Sequence, residues 1–339
     1  MMVRSATVGL TTRPYEDADE ARVLDLLVAS LGQGPAGART SEFFRWKHLD
    51  NPFGRSFMLV AEADGNIVGI RSFLRWEFTV NGQIVPAVRA VDTATHPSYQ
   101  RRGLFRRLTL EALDMLKADT AFVFNTPNDK SLPGYLKMGW DLVGRVPVRL
   151  RIGRPLRLAR SLLPRVASSL RDRPVVDAEN PLDVFGGADA SQLLQSTKGD
   201  SRIRSNRSIE YLRWRYGSAS GLGYYAVSEV VGGRLAGVAI FRVRPRGQLW
   251  ETTISELLVQ PGYRGIGRSL VAKIVAAARV DYVVSHFSGS ATANRATRSS
   301  GFLPTPAGIR LAVNSLSPTH PDPRSMSSWG LSLGDVEVF

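Results

Sequence analysis

Residues 91–116 hold the first arrangement of residue types that could do chemistry. Val91-Asp92-Thr93-Ala94-Thr95 reads as a β strand, His96-Pro97-Ser98-Tyr99-Gln100-Arg101-Arg102-Gly103 as a turn, and Leu104, Leu108, Leu113, Met115 and Leu116 then recur at helical spacing. A strand therefore passes through a Gly/Arg turn directly into an amphipathic helix. The backbone N–H groups at such a helix start lie at the positive end of the dipole, here among arginine side chains, and make a cradle for a pyrophosphate. Gly103 lets a phosphate come close to the backbone.

Composition narrows what chemistry that site can support. The 339 residues contain no cysteine, which removes disulfides, thiolate nucleophiles and cysteine-ligated zinc. The four histidines (His48, His96, His286, His320) include no H-E-x-x-H pair, so a metallohydrolase is not expected and no metal is called for. Carboxylates, Tyr, Ser, Arg and backbone groups remain. Net charge is +14 and only six of the 44 basic residues are lysines. Arginine forks suit phosphate, but high-GC codon usage gives the same bias, so charge alone does not establish a nucleic-acid partner.

The elements that must position this segment occur twice. Arg45-Trp46-Lys47 and Arg213-Trp214-Arg215 are each followed by a strand, a Gly-bearing turn and another strand: Phe57–Glu62, Asp64-Gly65-Asn66 and Ile67–Ile70 in one copy, Tyr225–Glu229, Gly232-Gly233-Arg234 and Leu235–Val238 in the other. Asp-Gly and Gly-Gly between β-formers are hairpin signals. Trp46 to Gly69 and Trp214 to Gly237 are both 23 positions, and Gly103 to Gly139 and Gly265 to Gly301 are both 36. Two matched intervals in one order read as a duplicated unit, each an α/β (α+β) fold with a mixed, mostly antiparallel sheet flanked by helices.

The expected domains are residues 1–147, a linker over 148–202, a second domain over 203–313 and a tail over 314–339. Between Arg145 and Arg173 stand nine arginines against one acid, Asp172. The basic segment 149–173 could lie on an anionic membrane, and an arginine-rich linker packed across both domains is the favoured alternative. No apolar run nears the roughly 18 residues of a membrane span, and Met1 to Thr12 carries no signal-peptide core, so a cytoplasmic location is expected.

Gln100-Arg101-Arg102-Gly103-Leu104-Phe105 resembles the Q/R-x-x-G-x-G/A acyl-CoA signature of the GNAT superfamily of N-acetyltransferases, with Phe105 in place of a small residue. Asn128, Ser131, Tyr135, Gly139 and Trp140 match that superfamily's N-x-x-A/S-x-x-x-Y-x-x-x-G-F/W pattern at full spacing. The resemblance implies that the strand before the turn splays from its neighbour and that acyl-CoA, most simply acetyl-CoA, lies in the gap. The backbone of Thr93, Ala94 and Thr95 would take the pantetheine, the amides from Arg101 to Phe105 the pyrophosphate, and Gln100, Asn128 and Ser131 belong to the same cofactor site. Tyr135 falls at the position of the general acid that protonates the departing thiolate, or else is a core tyrosine. Asp92 is the nearest carboxylate for a general base, or else a buried carboxylate bonded to a neighbouring turn. Glu62 and Glu77 are weaker candidates, and His96 reads as a loop residue.

In the second unit Thr297 stands opposite Tyr135, Ser290 opposite Asn128 and Glu256 opposite Asp92, and the turn is two residues shorter. The expectation is a degenerate partner that shapes the acceptor cleft. More narrowly, Asp50–Gly54, Val91–Thr93, Gly139-Trp140 and Trp329–Asp335 resemble tandem GNAT proteins encoded among bacterial cell-surface polysaccharide genes, which implies an amino-sugar or glycan-precursor amine as acceptor. The tandem layout also resembles the Eis-type acetyltransferases, in which the C-terminal carboxylate reaches the active site; this chain ends at Phe339. Two other readings keep the fold: an aminoacyl-tRNA-dependent transferase of the peptidoglycan-peptide type, and a non-enzymatic CoA-binding regulatory module. Oligomeric state is not legible.

Overall fold

A computed structural model describes residues 9–32, 39–161, 173–197, 201–217 and 221–337. The first half runs β1 (Thr11–Pro14), α1 (Glu20–Leu31), α2 (Ser41–His48), β2 (Phe57–Ala63), β3 (Asn66–Val80), β4 (Gln83–Thr95), α3 (Leu104–Leu116), β5 (Phe122–Asn125), α4 (Leu132–Leu136) and β6 (Asp141–Ile152). After α5 (Pro155–Ser161), α6 (Pro181–Val184), α7 (Ala188–Ser196) and β7 (Arg204–Ser205), the second half runs α8 (Ile209–Tyr216), β8 (Tyr224–Val231), β9 (Arg234–Arg246), β10 (Leu249–Val259), α9 (Ile266–Ala277), β11 (Tyr282–Ser285), α10 (Ala291–Ser299), β12 (Leu303–Ser315) and α11 (Leu333–Val336). From α8 to β12 the order repeats that from α2 to β6.

Local chemistry explains the hairpins. Asp64 and Gly65 take φ of 51° and 75°, and Gly232 and Gly233 take 58° and 77°, the left-handed pair that a two-residue turn needs to match strand twist. Gly139 and Gly301, at 91° and 83°, end α4 and α10 in the same region, where a side chain would be strained.

Two separate sheets were expected; the strands instead form one mixed sheet in the order β1-β2-β3-β4-β5-β12-β6-β11-β10-β9-β8, with β7 on β3. The cause is an exchange of last strands. β12 from the second half pairs with β5 of the first, β6 from the first half pairs with β11 of the second, and β6 and β12 pair with each other. Each half thereby covers an edge of the other that would otherwise lie open. The expected boundary at residue 147 falls inside β6, and that at 313 inside β12.

Apolar packing joins the halves as well. Trp46 and Trp214 stack with ring centroids 5.1 Å apart. The indole N–H of each donates to the backbone carbonyl of the other, both at 2.8 Å. Within the first half, Leu104, Leu108, Ala112 and Leu116 of α3 cover one sheet face with Phe73, Val88 and Tyr135, while Val23, Leu26, Leu27 and Phe44 of α1 and α2 cover the other with Val60, Ile70 and Ala94. The basic segment falls partly outside the described residues, at 162–172; of the described part, Arg157 pairs with Asp281 at 3.3 Å, which ties α5 to the second half.

Candidate active site

β4 and β5 run parallel only from Ala87↔Phe122 to Arg89↔Phe124. β5 stops at Asn125, whereas β4 continues to Thr95 with only β3 beside it. The edge of β4 from Ala90 to Thr95 therefore has no strand beside it on the β5 side and faces a gap where an extended chain could pair. At the gap's end the chain turns: Arg101 and Gly103 have φ of 61° and 77°, and α3 begins at Leu104. The first amides of α3 have no carbonyl one turn back, and a β-carbon built on Gly103 meets nothing within 4 Å, so the turn is not covered at that point. Gln100, Arg101 and Arg102 are exposed there; Gln100 donates weakly to the Thr95 carbonyl at 3.4 Å, and the Arg102 guanidinium lies 4.9 Å over the Tyr99 ring.

Tyr135, buried at 6% exposure on α4, comes to the α3 side of this gap. Its ring meets Trp140 at 5.0 Å and Phe105 edge-on at 5.6 Å. The large residue at 105 fits because position 134 is glycine: a β-carbon there would lie 3.3 Å from the Phe105 ring. Between Tyr135 and β4 stands Arg71, which sequence reasoning did not single out. Its Nη1 donates to the Tyr135 hydroxyl at 3.2 Å and to the Thr93 hydroxyl. Arg71 sits where the β3–β4 register slips, between Ile70 and Ser72, opposite the β4 bulge at Asp92 and Thr93.

Asp92, across the same bulge, has φ of 34°, a left-handed backbone rare outside glycine and strained for aspartate. Its carboxylate turns to the α2 side, where the Lys47 ammonium lies at 2.6 Å and His48 Nε2 at 2.9 Å. His48 Nδ1 lies 2.8 Å from the Ser56 hydroxyl. Burial pushes the imidazole below its ordinary value, against the pull of Asp92, so the ring is neutral near pH 7. A neutral ring with Nε2–H donating to Asp92 then accepts the Ser56 proton at Nδ1. Burial also pushes the Lys47 ammonium down, against the same pull. For Asp92 burial acts to raise the carboxyl, but Lys47 and His48 outweigh it and hold the group well below the usual carboxylate range. A carboxylate held so firmly ionised is a poor proton acceptor, which argues against a general-base role for Asp92. Its side chain stays 18% exposed, so part of that fixed negative charge remains accessible. Lys47 and His48 could have been found from the duplicated Arg-Trp-basic triplet, which puts them level with Arg215 and Tyr216. Nothing in the sequence marks Arg71.

The other candidates have local partners. Asn128 Oδ1 accepts from the amides of Lys130 and Ser131, and the Asn128 amide donates to the Ser131 hydroxyl, so the pair shapes the loop into α4 rather than extending side chains into the gap. Glu62 accepts from Arg13 at 3.1 Å, Glu77 from Asn206 at 2.8 Å, and His96 Nδ1 from the Ser98 amide. Thr297 donates its hydroxyl to helix carbonyls of Ala293 and Asn294, and Ser290 caps α10.

β10 and β11 also part, after Ile254↔Ser285. A cavity of about 530 Å³ opens there, walled by Glu256 to Val259, Phe287, Gly289 to Thr292, Arg207 and the β3–β4 hairpin at Thr79 and Ile84. The tail returns between the halves: Arg89, the last β4 residue paired with β5, donates to the carbonyls of Asp335 and Val336, and Glu337 accepts from the Tyr224 hydroxyl at 2.9 Å. Phe339 lies outside the described residues. Among the described residues no group of three or more His, Asp or Glu is arranged to hold a metal ion, and no helix is long and apolar enough to cross a membrane.

Residues 11–143 match the family described as the acetyltransferase (GNAT) domain. Among solved structures the chain is similar to a conserved protein of Enterococcus faecalis described as a probable N-acyltransferase, with a TM-score of 0.64 at 13% identity over 89% of this chain and 72% of that one. It is also similar to a GCN5-related N-acetyltransferase from Anabaena variabilis (0.61, 15% identity, 91% and 73%) and to Eis1 from Mycobacterium abscessus (0.54, 13% identity, 91% and 73%). No curated protein matches the chain. At such identities the structural likenesses speak for the fold.

Proposed function

We propose that this chain, a GNAT-type acetyltransferase, moves an acyl group, most simply acetyl, from acyl-CoA directly to a primary amine of a small molecule or sugar precursor. Enzymes of this type bind acyl-CoA and an acceptor. One observation carries the reading: the unpaired edge of β4 from Ala90 to Thr95 leads into the left-handed turn at Arg101 and Gly103, beside the Tyr135 hydroxyl. The residues present fit the cosubstrate. Edge amides of Thr93 to Thr95 would pair with the pantetheine, and the Arg101 to Phe105 amides with the diphosphate. Bound there, acyl-CoA supplies an activated carbonyl. The backbone at the Asp92 bulge polarises that carbonyl, Asp92 attracts the acceptor ammonium, and Tyr135 donates a proton to the departing sulfur. Asp92 being a weak base, the amine loses its proton to solvent.

The second half serves in this reading as a degenerate partner domain, with residues 1–147 catalytic: no hydroxyl equivalent to Tyr135 is free in it, and its turn is shorter. The basic segment at 149–173 is read as interdomain packing, which Arg157 on Asp281 supports. The Eis1 likeness and the tail against Arg89 favour an acceptor cleft closed by the C-terminal segment. A glycan-precursor amine is the acceptor class carried from the sequence resemblance.

Titration with acetyl-CoA tests the site. Gly103→Glu puts a carboxylate where the diphosphate would lie and should abolish binding; affinity retained in that variant, with its melting temperature unchanged, overturns the site. Thiol release from acetyl-CoA with a panel of amines tests the chemistry. Salt-dependent tRNA binding without CoA affinity would reverse the choice of donor.

A further inference from the structure

Arg71 is fully buried, at 0% exposure, and its Nε and Nη2 atoms have no hydrogen-bond partner. Among the described residues no carboxylate pairs with it; three aromatic rings surround the guanidinium, Phe73 at 4.4 Å and Phe105 and Tyr135 at 5.5 Å. Cation–π contact offsets part of the cost of burying a charge, but an unmatched buried cation remains expensive and calls for an anion. Its two protein hydrogen bonds go to Thr93 and Tyr135, one on each side of the gap between β4 and α4.

We propose that Arg71 is the counter-charge for the CoA sulfur: it stabilises the thiolate that leaves as the acyl group is transferred. The inference rests on the acyl-CoA reading above. As the amine nitrogen bonds to the thioester carbon, the C–S bond breaks and sulfur departs with the electron pair. Tyr135 then supplies the proton to sulfur and is reprotonated from solvent, while the amine proton goes to water. Because Arg71 donates to the Tyr135 oxygen, the phenolic hydrogen must point elsewhere. Arg71 thus orients the acid and holds positive charge beside the group that becomes negative. The other titratable groups packed around this point are Tyr135 on α4, Asp92 with Lys47 and His48 on the far side of β4, His96 on the following turn, and Arg101, Arg102, Arg106 and Arg107 at the turn and start of α3. Asp92, Lys47 and His48 satisfy one another, and the arginines at the turn are exposed, so Arg71 is the enclosed cation without a protein anion.

Free CoA and desulfo-CoA, which lacks the sulfur, separate this idea from the binding site itself. A thiol titrates near pH 8.5, and an opposite charge within hydrogen-bonding range lowers that by about 1–3 units. Calorimetric titration of the full chain between pH 6 and pH 9 should therefore show CoA gaining at least about tenfold over desulfo-CoA as the thiolate forms. Arg71→Met should erase that gain while leaving desulfo-CoA affinity within about twofold, and Arg71→Lys should restore part of it. A CoA to desulfo-CoA ratio that stays flat with pH in the unaltered protein overturns the proposal, as does a gain that survives Arg71→Met. If Arg71→Met does not fold, the unaltered protein and Arg71→Lys still decide. Failure of both ligands to bind overturns instead the acyl-CoA reading.

Discussion

The two halves solve one backbone problem with different chemistry. In each, the strand before the Gly turn carries a bulge, at Asp92 and next to Glu256, and in each the helix ending in the duplicated Trp motif reaches that carboxylate with the residue two places after the Trp. In the first half this is His48 on Asp92, with Lys47 completing an ion pair; in the second it is Tyr216 donating to Glu256 at 2.9 Å, while Arg207 takes the ion-pair role at 3.0 Å. Arg215, level with Lys47, turns instead to Tyr224 and Glu337. The first carboxylate is 18% exposed, the second 2%. The two halves thus share a bulge and a carboxylate, and what differs is access: one leaves its charge partly exposed, the other walls it in beneath the tail.

The largest effect expected from breaking this comparison is at Asp92. Asp92→Asn leaves the buried Lys47 without its anion, and losing one partner of a buried pair costs about 3–5 kcal/mol. Urea denaturation of the variant should show that loss; a change below about 1 kcal/mol would mean that the pair is solvated and the contrast with Glu256 is overdrawn. Next in size is the acid. Tyr135→Phe should lower turnover about 10²-fold, whereas Thr297→Val, at the matching place, should leave turnover unchanged. Equal losses in initial-rate assays would make the halves catalytic equals.

A smaller effect tests where the halves are alike. Trp46→Phe and Trp214→Phe each remove one of two reciprocal indole bonds and strand a buried carbonyl, so each should cost about 2 kcal/mol, and the two should match within error. Unequal losses would break the symmetry at the residues that best define it.

How much of this was legible in the sequence follows from the range of each signal. The hairpins, the Gly103 turn and α3 were readable because Asp-Gly, Gly-Gly and the leucine spacing are local chemistry. The exchange of β6 and β12 was not, because a strand's own alternation does not record which edge it will cover. Likewise Tyr135 and Asp92 could be named from spacing, but Asp92 changed character through Lys47 and His48, 44 or more positions away, whose approach only the packing of α2 on β4 creates. Arg71 shows the limit most clearly. In sequence it is one of many arginines, and only enclosure by Phe73, Phe105 and Tyr135 without an acid distinguishes it.

The smallest effect gives the sharpest contrast, because it has a sign. Lys47 and His48 hold the Asp92 carboxyl well below its ordinary value, so the stability it supplies is complete above an unfolded-state value near pH 3.9 and is lost as pH falls below that. For Glu256, burial raises the carboxyl against the pull of Arg207, so its contribution is complete below about pH 4.3 and is lost as pH rises through the folded-state value. Relative to the unaltered protein, Asp92→Asn should therefore become less stable as pH climbs from 3 to 5. Glu256→Gln should become more stable as pH climbs from 4 to 6. Its cost at pH 7 should stay near or below about 1 kcal/mol, because Arg207 keeps Asp335 at 2.9 Å and the amide oxygen can still accept from Tyr216. Denaturation midpoints across this range decide the matter: opposite slopes mean that the two bulges hold their carboxylates in opposite electrostatic states, and parallel slopes mean that they share one.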